Sequence, residues 1–585
     1  MKQFLKFFLA SFVAVFLFFV LLLLLIPASF HSLTKSFNGA PNVKEHTILR
    51  LSLSASLPDH STIEPMFPFS TAGLHQNVGL YEISEALKTA ATDEDVDGVM
   101  IDMGMKAPGL ASIEELREAL KLFRQSGKFV VATGQWASQK SYYLASVADS
   151  IFMEPSGILM LKGFAARSLF FKRGLEKAGI SINIWYHGRY KSATEPLRNT
   201  QMSVANKEQL RSFLHSIYDQ MLSNIGGDRG LEPESLNGII KRFEARNPVD
   251  AKRLHLIDNV LFGDEVRQRI RDMAGLDRKD KLHFMSIGKY AEAVEEEPDM
   301  KVKNKIALIF MEGDVVNSKA GPGQVGALSF AKIFRDIRQD TFVKAVVVRI
   351  NSPGGDAAAS DRIWREIKLT AEKKPLIVSM GNLAASAGYQ IAAPAKTIFV
   401  QPNTLTGSIG IFALWPNLQG LTRDKLGIDL DTVKVGAYSD LLDPYRPLEP
   451  DEVAFFKENI DLGYQDFLEK VAEGRQMDTA QVRKLAEGRI WSGNQAIEKG
   501  LADHMGGIDE AIEAAKNDAG LESYRLSVYP KKVNPFEMFR NLLGDESLKL
   551  DAGNLLTLWK SWQTVQDLTH FKGLQKRLPF NIEIE

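Results

Sequence analysis

The apolar positions of this chain form one long run near the start and many short runs after it. The long run covers twenty uncharged residues, from Phe7 to Ile26. A helix of that length rises about 30 Å, which matches the hydrocarbon thickness of a bilayer. Lys2 and Lys6 precede it, and positive residues stay on the cytoplasmic side. We therefore predict a cytoplasmic tip at 1–6 and a transmembrane signal anchor at 7–26.

A cleavable signal peptide is the alternative reading of this run, with Pro27-Ala28-Ser29 as a weak processing site. The apolar region of such a peptide is usually about 7–15 residues long, and this one is longer. Later apolar runs are all shorter than the roughly 18 residues that a membrane span needs. We expect everything after Ile26 to lie outside the cytoplasm as one soluble body.

The short apolar runs alternate between strand and helix patterns. In the second half, the buried-strand run Lys344–Ile350 leads into the glycine-rich turn Asn351–Asp356, and Ala357–Ala371 follows with helical spacing. Pro375–Met380 and Thr397–Val400 read as the next strands. Alternating strands and helices predict an α/β fold with a mainly parallel sheet.

The first half repeats this pattern at a fixed distance. Gly98–Met103 precedes Ala345–Ile350 by 247 positions, and Phe129–Gly134 precedes Leu376–Gly381 by the same number. Further identical residues keep this spacing: Tyr142 and Tyr389, Ala145 and Ala392, Ala148 and Ala395, Ile151 and Ile398, Phe152 and Phe399, and Pro155 and Pro402. Chance is unlikely to hold tyrosines and prolines in register over so long a stretch, so we infer an internal duplication.

The duplication divides the chain into segments. We predict an N-terminal repeat domain at 45–270 and a C-terminal repeat domain at 303–530. The charged segment 271–302 reads as a solvated linker. The extension at 531–585 gives no indication of chemistry from its sequence.

Composition narrows the function classes. Lysine and arginine number 71 against 72 acidic residues, so no strong field favours nucleic acid. The chain has no cysteine, which excludes disulfides, thiol nucleophiles and thiolate metal sites. Neither an H-E-x-x-H nor a Walker-type motif occurs, and we expect no metal and no cofactor.

Residues present in only one repeat are candidates for function. Ser386 lies among alanines and glycine at the predicted start of a helix, and the first half has Gln139 at the equivalent position. Small neighbours leave room for a substrate carbonyl, and helix-start N–H groups favour developing negative charge. The common structural role of such a serine is a helix N-cap, which remains the alternative.

The turn containing Gly354 and Gly355 also occurs in one half only. The first half has Lys106-Ala107-Pro108 near the equivalent place. Glycines between a strand and a helix let backbone N–H groups face a ligand, as in an oxyanion hole. A plain strand-to-helix turn explains one glycine better than two.

A general base is found by the same comparison. No G-x-S-x-G motif occurs, and His504 is the only histidine of the half that carries Ser386. Lys191 of the first half corresponds to Ser439 of the second, so one half has the serine and the other the lysine. Lysine acts as a base only when burial lowers its pKa from about 10.4. Ser408, which replaces Leu161 of the first half, could accept hydrogen bonds from it.

These motifs together resemble the bacterial signal peptide peptidase A family in its long protease IV form. The resemblance rests on Asn351–Gly355, Ala385–Tyr389, Thr406–Gly410 and Gly188–Ser192, in that family's positions along nearly the whole chain. It implies tandem crotonase-like or Clp-protease-like ββα superhelical repeats. It also implies a homotetramer on the periplasmic side of the inner membrane that degrades remnant signal peptides.

The resemblance further implies roles for individual residues. Ser386 would be the nucleophile and Lys191 the general base. Gly354 and Gly355 would be oxyanion donors, and Ser408 would support the lysine. Ala387 stands where this family often has glycine, which should change little.

Two alternatives remain open. A crotonase-type enzyme would use the glycine turn to bind acyl-coenzyme A, although coenzyme A is cytoplasmic. A non-enzymatic membrane scaffold with degenerate repeats would leave Ser386 and Lys191 apart in space. The alanines around Ser386 suggest small or apolar residues near the scissile bond.

Overall fold

The computed structural model describes residues 41–52, 54–64, 75–277, 279–295, 299–321, 323–531, 575–577 and 583–584. The predicted anchor at 7–26 lies outside these residues. Across the described ranges, no helix is both long and apolar enough to cross a membrane.

The first half forms a six-stranded sheet in which every neighbouring pair is parallel. The strands of this half are β1 Thr47–Ser52, β2 Thr62–Glu64, β3 His75–Asn77, β4 Val96–Asp102, β5 Phe129–Ser138, β6 Ser150–Met160, β7 Ala166–Arg167, β8 Ser181–His187, β9 Asn259–Val260 and β10 His283–Ser286. The sheet order is β10-β1-β4-β5-β6-β9, and β2 pairs with β3 apart from it.

Helices cover both faces of this sheet and its margins. They are Leu80–Thr92, Leu110–Gln125, Gln139–Ala145, Lys172–Lys177, Glu195–Arg198, Val204–Arg229, Pro233–Arg242, Pro248–Arg253, Gly263–Met273 and Ile287–Ala293, with a 3₁₀ turn at Ser192–Thr194. Apolar side chains of Leu110–Gln125 are buried against β4 and β5, as helices that cross over between parallel strands require.

The second half forms an eight-stranded, mainly parallel sheet. The strands from residue 305 onward, not all of which belong to this sheet, are β11 Lys305–Glu312, β12 Asp314–Val316, β13 Gln324–Gly326, β14 Val343–Ser352, β15 Gly354–Asp356, β16 Leu376–Ala385, β17 Thr397–Val400, β18 Leu405–Gly407, β19 Ile411–Asn417, β20 Ile490–Ser492, β21 His504–Met505, β22 Arg525–Tyr529, β23 Gln575–Arg577 and β24 Glu583–Ile584. Its helices are Ala327–Gln339, Ala357–Ala371, Ala387–Ala392, Pro450–Arg475, Thr479–Leu485, Gly493–Glu498 and Ile508–Asp518, with a π-helical turn at Gly420–Lys425.

The two sheets share one strand order. The run β22-β11-β14-β16-β17-β21 of the second half matches β10-β1-β4-β5-β6-β9 of the first, strand for strand. One difference is that β6 is continuous, whereas the second half divides the same length between β17 and β18. The predicted parallel α/β architecture is therefore present twice.

A third, mixed sheet joins the halves. Its order is β13-β12-β15-β23-β19-β8, and its edge strand β8 comes from the first half. Seven antiparallel residue pairs connect β8 with β19. Because Lys191 comes shortly after the end of β8, this pairing places the lysine next to the second half.

Two predicted boundary segments contain regular structure. Within 271–302, which was predicted to be a solvated linker, β10 pairs with β1 and the helix Ile287–Ala293 packs on the first sheet. Its apolar positions Ile287 and Tyr290 are buried there, so that part of the segment belongs to the first half. Within 531–585, β23 enters the mixed sheet. The domain limits themselves stay predictions.

A buried ion cluster lies where the halves meet. Arg349 of β14 is fully buried and donates hydrogen bonds to Asp59 at 2.9 and 3.0 Å and to Glu115 at 2.6 Å. Burial raises the pKa of Glu115 to about 7, despite the nearby guanidinium. Burial and the Asp59 carboxylate likewise raise the pKa of Glu312 to about 7. One cation of the second half thus pairs with two carboxyl groups of the first, and Glu312 accepts a hydrogen bond from the Asp59 N–H.

Candidate active site

Ser386 lies at the junction between β16 and the short helix Ala387–Ala392. Its backbone has φ 57° and ψ −115°, a conformation that non-glycine residues rarely adopt. Such strain costs on the order of 1–3 kcal/mol and persists only where surrounding contacts fix it. The Ser386 N–H donates to the Gly407 carbonyl at 2.8 Å, and its carbonyl accepts from Gln390 N–H at 2.9 Å.

Lys191 is positioned by a loop of the first half that packs on a loop of the second. The Tyr190 N–H donates to the Glu487 carbonyl at 2.7 Å. Gly488 has φ +72°, and a Cβ there would lie 2.6 Å from Lys191 Cβ. This close approach requires glycine, so the second half is shaped around the lysine.

The structure brings Lys191, Ser386 and Ser408 together. Lys191 Nζ lies 2.9 Å from Ser386 Oγ, 3.0 Å from the Ser408 carbonyl oxygen and 3.1 Å from Ser408 Oγ. All three residues are at most 1% exposed. Burial, with a smaller contribution from the charge of Lys576, holds the pKa of Lys191 well below its ordinary value.

Hydrogen-bond accounting shows what this arrangement can do. A neutral amine has two N–H donors and one lone pair. The carbonyl and hydroxyl oxygens of Ser408 can accept both donors, which leaves the lone pair directed at the Ser386 hydroxyl. Ser408 itself has φ 52°, and its N–H donates to the Arg489 carbonyl at 2.7 Å.

The Ser386 hydroxyl therefore faces Lys191, unlike the equivalent region of the first half. There, Ser138 caps the helix by accepting from Ser141 N–H at 3.2 Å. A serine side chain therefore caps the helix in the first half, whereas the Ser386 side chain makes no such cap. The scaffold alternative predicted that Ser386 and Lys191 lie apart, and their 2.9 Å separation contradicts it.

The glycine turn lies beside the serine. Gly354 has φ +102°, and a Cβ at this residue would lie 3.0 Å from both the Ala385 oxygen and the Ala387 nitrogen. The backbone at Gly354 therefore approaches the residues on either side of Ser386. The Gly354 N–H donates to Ser352 Oγ at 3.2 Å. Gly355 packs on Val315, whose oxygen would be 2.1 Å from a Cβ there.

The histidine near Lys191 in sequence and the histidine of the half that carries Ser386 contact other residues. His187 Nδ1 lies 3.1 Å from Asp461 Oδ1, and its ring stacks on Tyr464 at 4.0 Å. His504 is exposed on β21 and packs against Phe399. In the part of the chain that the structure describes, no group of three or more His, Cys, Asp or Glu residues is arranged to bind a metal ion.

Sequence reasoning missed the closest approach of the C-terminal segment. In β23, Lys576 pairs with Gly355 and Arg577 with Gly354, both antiparallel. The Lys576 carbonyl oxygen would lie 2.2 Å from a Cβ at Gly354. Three residues without an apolar pattern give no signal that could place them next to a glycine turn more than 200 positions earlier.

The chain is similar in sequence to known proteases. The sequence profile of peptidase family S49 matches residues 122–277 and 368–522, more than half of the chain and once in each repeat. Protease 4 of Salmonella typhi is 32% identical over 482 residues, which cover 81% of this chain and 77% of that protein. The chloroplastic serine protease SPPA of Arabidopsis thaliana is 33% identical, covering 76% of this chain and 67% of that protein.

A shorter relative matches part of the chain. The putative signal peptide peptidase SppA of Enterococcus faecium is 36% identical over 209 residues, which cover 36% of this chain and 60% of that protein. The double match to the family profile and the long matches at about a third identity lead to one conclusion: the chain belongs to peptidase family S49 and is a serine protease.

Proposed function

We propose that this chain is a membrane-anchored endopeptidase in which Ser386 is the nucleophile and Lys191 the general base. The observation that carries the proposal is the 2.9 Å contact between Lys191 Nζ and Ser386 Oγ, with Ser408 holding the amine from the other side. A buried lysine with a lowered pKa is neutral at a pH where an exposed lysine is charged. It can then accept a proton.

The reaction follows the general course of nucleophilic serine catalysis. Lys191 Nζ takes the Ser386 hydroxyl proton while Oγ attacks the scissile carbonyl carbon. The tetrahedral species collapses to an acyl-enzyme, and the protonated lysine gives its proton to the leaving amine. Water then attacks the ester, again with Lys191 as the base.

Backbone N–H groups of the glycine turn are the proposed oxyanion donors. Gly354 lies against the residues that flank Ser386, and Gly355 follows it in the same turn, which supports this role. A single such donor contributes about 10²–10³-fold to kcat in serine proteases. The Gly354 N–H would exchange Ser352 Oγ for the oxyanion when substrate binds.

The substrate class is proposed from the relatives and from the start of the chain. One relative bears the name of a signal peptide peptidase. The apolar run at 7–26 would hold the protein in the inner membrane with its body in the periplasm, where remnant signal peptides and other short hydrophobic peptides are within reach. A homotetramer of crotonase-like or Clp-protease-like repeats remains an inference from family resemblance.

The proposed function is tested with the purified full-length protein in detergent and a synthetic signal peptide. Mass spectrometry of the products should show internal cleavage by the wild type and none by Ser386→Ala. A fluorophosphonate probe should label Ser386, as located by peptide mapping. Labelling of a different serine, or cleavage by Ser386→Ala at the wild-type rate, would overturn the assignment.

A further inference from the structure

The C-terminal strand β23 is a short extended segment inserted between two other strands of the mixed sheet. It lies between β15 on one side and β19 on the other, antiparallel to both. An extended peptide that adds to a strand edge obtains its affinity from main-chain hydrogen bonds and its specificity from side-chain pockets. The side chain of Lys576 in this strand shows what one pocket beside Ser386 accepts.

That pocket is polar, and it buries the side chain that it holds. Lys576 is 1% exposed, and its Nζ donates to Gln390 Oε1 and to Asp361 Oδ1, the latter at 3.2 Å. Asp466 Oδ2 lies 3.9 Å from Nζ, and the Phe467 ring centroid lies 5.0 Å away. The pocket therefore pairs an ammonium group with carboxylates and an aromatic face, and its walls cover the apolar stem.

One residue of the pocket wall is hydrogen-bonded to Ser386, the proposed nucleophile. Gln390 lies one helical turn after Ser386, and its N–H donates to the Ser386 carbonyl at 2.9 Å. Its side-chain nitrogen donates to Asp361 at 2.6 Å, which turns the amide oxygen toward Lys576. The orientation of Gln390 thus suits a hydrogen-bond donor in the pocket.

Charge balance also favours a cationic guest. Asp361 and Asp466 both accept from the resident Lys470, at 2.8 and 2.7 Å. Two carboxylates and one resident lysine leave a net charge of −1, and the ammonium of Lys576 brings the group to neutrality. Both carboxylates are partly exposed, whereas the Lys576 ammonium is buried and depends on them as charge partners.

We propose that the pocket formed by Asp361, Gln390, Asp466 and Phe467 selects a lysine side chain in bound peptides, at the residue that precedes the scissile bond. The position follows from the backbone, because the Lys576 carbonyl lies against Gly354 beside Ser386. This inference rests on the proposed function and specifies its substrates. It differs from the sequence-based expectation of small or apolar residues there. Signal peptides begin with a positively charged region, which offers such lysines.

The test compares two peptides that differ only at this residue, lysine against norleucine, with the full-length protein. We expect kcat/KM for the lysine peptide to exceed that for norleucine by about 10- to 100-fold, the range that a charge-assisted hydrogen bond supplies. Asp361→Asn should reduce this ratio to near one, chiefly by lowering kcat/KM for the lysine peptide. Product masses should show cleavage after lysine.

Two controls make the outcome specific. Asp466→Asn should lower the ratio, whereas Asp461→Asn on the same helix should not, since Asp461 contacts His187. In a Lys576→Met background the chain's own lysine no longer competes with the peptide for the pocket. Asp361→Asn should still reduce the lysine-to-norleucine ratio in that background.

Failure of this inference is distinct from failure of the proposed function. A wild-type ratio near one, or a high ratio that survives Asp361→Asn, overturns the lysine pocket even if Ser386→Ala is inactive. Cleavage by Ser386→Ala at the wild-type rate would instead overturn the nucleophile, whatever the ratio.

Discussion

The two halves of the chain have the same parallel strand order but use the end of one strand differently. In the first half, β5 ends at Ser138, which caps the following helix, and Gln139 Oε1 accepts from the N–H groups of Lys162 and Gly163 at 3.1 and 2.7 Å. In the second half, β16 ends before Ser386, whose strained backbone directs the hydroxyl to Lys191. The same junction stabilises a loop in one half and forms a site in the other.

The difference shows how a duplicated fold divides its tasks. The first half supplies Lys191 through β8, which has joined the mixed sheet of the second half. The second half supplies the serine, the glycine turn and a glycine at 488 that makes room for the lysine. Neither half has both groups, so the site depends on contact between the halves.

The largest expected effect comes from removing either member of the pair. Ser386→Ala and Lys191→Met should each reduce kcat/KM for peptide hydrolysis by more than about 10³-fold, because the two groups act as a unit. The double variant should be no worse than either single one. Circular dichroism and thermal unfolding provide the check that the fold is intact. Appreciable activity in either single variant would show that catalysis does not require the replaced residue.

The next largest effect tests the contact between the halves. Arg349→Met removes the cation that Asp59 and Glu115 share, and leaving buried carboxylates unpaired should lower the free energy of unfolding by about 3–5 kcal/mol. The equivalent position of the first half, Asp102, pairs with half-exposed Arg50. Arg50→Met should cost less than about 1 kcal/mol. If the two variants lose equal free energy of unfolding in urea, the buried cluster stabilises the protein no more than the half-exposed pair does.

Activity should rise with pH along a limb set by Lys191. Because burial lowers the pKa of this lysine, the neutral base forms below the ordinary range for lysine. Below that pKa, kcat/KM on an uncharged peptide should increase about tenfold per pH unit. His187→Gln and His504→Gln should leave the limb in place. A limb displaced by either substitution would indicate a histidine base.

The sequence was sufficient for much of this picture because the duplication provided an internal reference. Ser386, Lys191, Ser408 and the glycine turn were found as residues that one repeat has and the other lacks. The fold class followed from buried-strand runs alternating with helical spacing. These signals are local or repeated, and a single sequence can show them.

Other features had no such signal. Arg349 occurs in an apolar strand run, and only the meeting of the halves brings Asp59 and Glu115 to it. The strained backbone of Ser386 is accompanied by a hydrogen bond to the Gly407 carbonyl, which lies on a separate strand. The approach of Lys576 joins segments that share no periodicity. Long-range contacts of this kind are properties of the folded chain.

The buried carboxyl groups also predict how stability depends on pH. Glu115 and Glu312 have pKa values of about 7 in the folded protein, against an ordinary value of 4.5. Between these values the folded state binds more protons than the unfolded state, so the free energy of unfolding should fall as pH rises from about 5 to 8. Thermal unfolding across this range measures it. In Glu115→Gln the decline should be shallower, and an unchanged slope would argue against this group.

The smallest effect is expected at Gln139, the residue of the first half that corresponds to Ser386. Gln139→Ala removes the acceptor for two backbone N–H groups and should lower the free energy of unfolding by about 1–3 kcal/mol, with kcat/KM within about twofold of the wild type. Gln139→Ser combined with Ser386→Ala should remain inactive, since the second half has Ser439 where the first has Lys191. Urea unfolding and peptide hydrolysis provide the two readings. Recovered activity in the double variant would show that the first half can form a site of its own, and the division of roles between the halves would have to be abandoned.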